Sequence, residues 1–141
     1  MINIETLFDY IESTTGYTIE FAKENEQELP EDSVLPKLTL GYGPIRRTRP
    51  ESEFALGEYE TQAENLIQSF YVKIICKQED FRAAFIILYK ALQSYNPSPS
   101  TYVGTSFNYV NGEPIGLSNG TFWYITEWKI GFPTNSILNP L

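Results

Sequence analysis

The chain has no histidine among its 141 residues and a single cysteine, Cys76. Without histidine, acid–base chemistry near neutral pH would fall to carboxylates whose pKa values are raised by burial. The pairs Glu51/Glu53 and Glu58/Glu60 lie in a polar stretch with nothing nearby to desolvate them, so no enzyme is expected. One cysteine excludes an intrachain disulfide and fits a reducing compartment. Cys76 alternates with apolar neighbours and reads as a small buried side chain, not a nucleophile. No apolar run approaches the ~20 residues needed to cross a bilayer. Met1 to Thr6 lack the basic and apolar regions of a signal peptide, so a soluble cytoplasmic protein is expected, with no membrane partner. Basic residues are scarce too, 10 against 18 acidic, and the net charge of −8 argues against general affinity for nucleic acid. The one close glycine pair, Gly41-Tyr42-Gly43-Pro44, has neither a P-loop Lys-Ser/Thr nor a dinucleotide fingerprint, and reads as a turn. No cofactor is expected.

What is abundant is aromatic: 15% of residues, within 42% hydrophobic overall. That content favours a β-rich core or a sizeable contact surface in one domain spanning residues 1–141. The acidity is confined to one part, since residues 1–64 hold 14 acidic and 5 basic side chains and residues 65–141 hold 4 and 5.

The clearest local signal runs from Phe70 to Tyr95. Phe70, Val72, Ile74 and Cys76 alternate as one face of a strand, and Phe81, Phe85, Leu88, Leu92 and Tyr95 then follow a helical stripe. Neither apolar face can be buried alone, so a helix lying across a sheet is predicted. Upstream, Asn3 caps a helix over about 3–14 whose Ile4, Leu7, Phe8 and Ile11 share a face, and Gly16 ends it. Strands are predicted at about 17–21, at 38–42 with Gly43-Pro44 as the stop, and at 66–77. The second helix spans about 79–94 and ends at Asn96-Pro97. Two Asn-Gly steps, at 111–112 and 119–120, each offer a tight hairpin turn before a strong last strand over 121–132. The expected fold is α+β, a largely antiparallel sheet of four to five strands with two helices on one face.

Three features bear on function. Residues 23–33 are dominated by carboxylates without the glycine turn of an EF-hand, and read as a solvated loop, not a metal site. A long arm at about 44–64 carries Arg46, Arg47 and Arg49, the only basic concentration in the acidic part, which reads first as a solvated loop paired with the glutamates that follow it and second as an interaction loop suited to carboxylates on a partner, with nucleic acid the least favoured reading. Finally, helices on one face leave the other bare, where Tyr71, Ile75, Trp123 and Ile125 would form an apolar patch to be covered, with neighbouring copies the favoured cover and a further element of the same chain or a small-molecule groove as the alternatives.

This order of elements resembles the tail terminator, or tail completion, proteins of long-tailed bacteriophages. The likeness lies in the outline of short helix, two strands, long arm, the strand–helix unit FYVKIICKQEDFRAAFIILYKALQSY and the aromatic closing strand GTFWYITEWKIGFP. It implies a virion protein of the tail and neck, assembled in the host cytoplasm. Such a protein forms a hexameric ring that caps the tail tube, stops its polymerisation and provides the head-joining surface. Its partners would be further copies of itself, the tail tube protein, head–tail connector proteins and, in a contractile tail, the sheath protein. Arg46, Arg47 and Arg49 occupy the place where such proteins contact the tube or a neighbour. Ile137 and Leu138, in an extended C-terminal tail at about 133–141, would dock on an adjacent subunit. The competing readings are another phage neck or baseplate component, or a small-molecule or peptide-binding α+β module.

Overall fold

A computed structural model of the chain describes residues 2–23, 34–47, 65–95 and 106–133. The elements are α1 (Ile4–Thr15), β1 (Thr18–Phe21), β2 (Lys37–Arg47), β3 (Asn65–Lys77), α2 (Phe81–Gln93), β4 (Asn108–Ser118) and β5 (Thr121–Pro133). The five strands form one sheet in the order β1-β2-β3-β5-β4, antiparallel throughout except for the parallel β1–β2 pair. Both helices pack on the same face, so the architecture is the α+β arrangement expected.

The caps follow the sequence. Asn3 Oδ1 accepts the Thr6 N–H at 3.1 Å, and Gly16 closes α1 at φ 77°, its N–H bonded to the Glu12 carbonyl. A 3-10 turn over Gln78–Asp80 precedes α2, which begins two residues after the expected start. The helices are tied by Tyr10, whose hydroxyl donates to the Ala91 carbonyl at 2.7 Å and so satisfies an orphan acceptor in the last turn of α2.

The helix face of the sheet carries Leu38, Leu40, Phe70, Val72, Ile74, Cys76, Trp128 and Ile130, closed by Leu7 and Ile11 of α1 and Leu88 and Leu92 of α2. The buried line of α2 is Ala84, Leu88, Ala91 and Leu92, so the stripe is rotated from the one expected. The two alanines let the helix approach the sheet. Phe81 and Phe85 instead flank it, half-buried, and Phe81 packs at a tilt against Tyr124, ring centroids 4.5 Å apart, while Phe85 meets Tyr109 edge-on at 5.6 Å. In the core the Trp128 indole N–H donates to Thr126 Oγ1, which donates to the Val72 carbonyl, both at 2.7 Å.

Gly43-Pro44 does not stop β2. The strand passes through them in a bulge between Tyr42 and Ile45 and continues to Arg47, because the buried Gln68 amide of β3 donates to the Gly43 carbonyl at 3.0 Å. The last strands form one hairpin, with Asn119 (φ 51°) and Gly120 (φ 78°) making the two-residue turn. Asn111-Gly112 lies inside β4 instead.

Candidate interaction surface

Strand alternation sends Lys37, Thr39, Ser69, Tyr71, Lys73, Ile75, Trp123, Ile125 and Glu127 to the far face of the sheet, away from the helices. The expectation of one bare patch there is overturned at its centre. Ile75 is 0% exposed and Trp123 7%, and Thr39 and Ser69 are buried beside them. That burial arises within a single chain. In register, Ile75 lies between Lys37 and Trp123, and the Lys73 ammonium stands over the Trp123 ring, 5.4 Å from its centroid. The cover over Ile75 and Trp123 therefore needs no neighbouring copy. Tyr71 and Ile125 remain half-buried. The Tyr71 ring lies against Gly43, where a Cβ would come within 2.8 Å of both Tyr71 Cε2 and Ser69 Cβ, so only glycine fits at this crossing.

Toward β4 the far face opens into a cleft of about 100 Å³ lined by Tyr71, Ile125, Asn111, Gly112, Glu113 and Glu127. It has an aromatic and aliphatic floor with two carboxylates at its edge. At the other end of the sheet β2 carries the arginines on opposite sides. Arg46 pairs with Ile67 on the far face, and Arg47 pairs with Leu66 on the helix face. The expected basic cluster is thus divided by the pleat; Arg49, with residues 48–64 of the arm, lies outside the described residues, as do Ile137 and Leu138.

Large apolar side chains are exposed at both lateral ends of the sheet. Phe21, Tyr42 and Ile45 lie at the β1–β2 end, and Val110, Ile115 and Leu117 lie on β4. Sequence periodicity missed the β4 set, since Gly112, Pro114 and Gly116 break its alternation. A usable signal was the Asn119-Gly120 turn, because a strand as long as β5 behind such a turn demands a partner of similar length in front of it.

The electrostatics are local. The Lys37 ammonium, 2.8 Å from Glu20 Oε1, holds the Glu20 carboxyl below the usual carboxylate range through a side-chain hydrogen bond. A depressed folded-state pKa stabilises the fold above the ordinary glutamate pKa, and the contribution is lost as pH falls through the lowered value. Glu20→Gln is expected to flatten the dependence of unfolding free energy on acid pH, read by urea titrations across roughly pH 3 to 6. The effect should shrink with added salt, because Glu20 is partly exposed. Burial pushes the Cys76 thiol up to about 11, as suits a packed side chain.

Among the described residues no three potential metal ligands cluster, and no helix is long and apolar enough to cross a membrane. The acidic segment falls almost wholly outside the described residues. No protein-family model matches this chain, and no curated protein matches it.

Proposed function

We propose that the chain is a phage virion protein that assembles as a ring on the end of the tail tube, ends its polymerisation and presents the head-joining surface. Its partners on this reading are further copies of itself, the tail tube protein and the connector. One observation carries it beyond the resemblance of the sequence: apolar side chains are exposed at both lateral ends of one sheet, and the two sets differ. A ring of identical subunits needs two unlike surfaces per protomer, joined head to tail. Edge residues, not Ile75 and Trp123, therefore form the subunit contacts. Among the described residues the far-face cleft, of about 100 Å³, does not favour the small-molecule reading, being well below the roughly 300 Å³ at which ligand pockets begin.

Electron microscopy of the purified protein, alone and added to growing tail tubes, is the test. Rings seated on tube ends, with tube length held constant, are the expected result. Tubes that keep elongating at saturating protein, with bare ends, would remove the capping role.

A further inference from the structure

Among the described residues the sheet has two open edges, β2 beyond its pairing with β1 and the outer side of β4. We infer that the outer edge of β4 docks on the Tyr42–Arg47 edge of β2 in a second copy of this chain, whose Arg46 seats against Glu113 and Glu127. This inference rests on the assembly reading above and gives it a contact surface.

The first ground is geometry. β1 pairs only with Lys37–Leu40, and a further bond from the Ala22 N–H to the Leu40 carbonyl ends that pairing. From Tyr42 onward, β2 has no strand on that side among the described residues, and β4 has none beyond its pairing with β5. Strands β2, β3, β5 and β4 alternate in direction. A copy added in the same orientation therefore brings β2 antiparallel to β4, with the helices of both copies on the same side.

The second ground is register. β2 carries an extra residue between Tyr42 and Ile45, and β4 carries two, one between Tyr109 and Asn111 and one between Pro114 and Gly116. Placing the β2 irregularity opposite the second of these sets Tyr42 against Leu117 and Ile45 against Pro114 on the helix face, and Arg46 against Glu113 on the far face, whereas placing it opposite the first would set Arg46 against Asn108, with no carboxylate facing it. A slip of one residue would turn Arg46 onto Pro114 and the apolar side. Pro44 and Pro114 each remove a donor from their edge, so neither edge supports an uninterrupted ladder with an arbitrary strand. Selectivity then falls to the side chains.

The third ground is charge and shape. Arg46 is exposed on the far face of β2, and the cleft beside β4 presents Glu113 and Glu127 around Tyr71 and Ile125. A guanidinium there can fork between carboxylates with its plane on the Tyr71 ring.

The test is a charge swap on the full chain, read by analytical ultracentrifugation over a wide concentration range. Arg46→Glu and Glu113→Arg should each weaken self-association about tenfold or more, and the two together should restore most of it. Both residues are exposed, and circular dichroism checks that the fold persists. A double variant no better than the singles, singles that associate like the parent, or a parent that stays monomeric throughout would each overturn the inference. A second measurement fixes the register. Tyr42→Cys mixed with Leu117→Cys should give a disulfide-linked dimer on mild oxidation, whereas Tyr42→Cys mixed with Asn108→Cys should not. Preferential cross-linking of the Asn108 pair would overturn this contact while leaving a ring possible by another route. Register-specific cross-links in a protein that leaves tail tubes unchanged would instead remove the capping role and keep the contact.

Discussion

Replacing Trp128 with alanine is expected to lower the free energy of unfolding by about 3–5 kcal/mol, the range for deleting a large aromatic from a core. The indole is 1% exposed and joins the sheet to α2, with Tyr89 at 5.7 Å and Tyr109 at 5.2 Å from its centroid. It also heads the relay through Thr126 to the Val72 carbonyl. Two further variants separate packing from hydrogen bonding. Trp128→Phe keeps much of the volume, and Thr126→Val leaves the indole N–H with no acceptor, at a cost of about 1–3 kcal/mol. Urea denaturation followed by circular dichroism measures all three. A Trp128→Ala midpoint equal to the parent's would mean that this side chain is not the keystone of the helix–sheet contact.

Ile75→Ala tests which face of the sheet is core. Its side chain points away from both helices and is nonetheless fully buried in the isolated chain. If that burial belongs to the protomer, the substitution destabilises it by about 2–4 kcal/mol, independent of protein concentration. If Ile75 instead met a neighbouring copy, the loss would appear in the association constant, and dilute parent and variant would unfold together. Measuring unfolding at two protein concentrations well below and above the association range decides between these outcomes.

The contrast between those two residues shows where sequence reasoning holds. Phe70, Val72, Ile74 and Cys76 were legible because a period of two reports which residues share a face. The period cannot report what lies over the other face. Ile75 and Trp123, on that other face, are nonetheless buried. Gly43-Pro44 misled for a related reason: the pair is a strong local break, but a glutamine on the next strand stabilises the carbonyl that the bulge exposes. The α2 stripe was displaced because Ala84 and Ala91 carry little hydrophobic weight, yet their small size sets the distance of closest approach. In the proposed contact, Arg46 stands out in the sequence by charge alone, whereas the β4 residues proposed to face it lie among the glycines and proline that break that strand's alternation.

The brevity of β1 has a consequence for any assembly built through the open edges. Glu113 stands level with Ile125, Lys73 and Thr39, whereas Arg46 stands level with Ile67, six positions farther along β3. Because β1 already occupies the nearer stretch of β2, each incoming subunit must step up the strand by roughly 20 Å while advancing across four strands, also roughly 20 Å. That staircase inclines its strands by about 45°, at the steep limit of what closed sheets adopt. The last tread either meets the first, giving a collar, or overshoots it, giving a coil that keeps climbing. Four residues at one margin would then set the pitch of the whole.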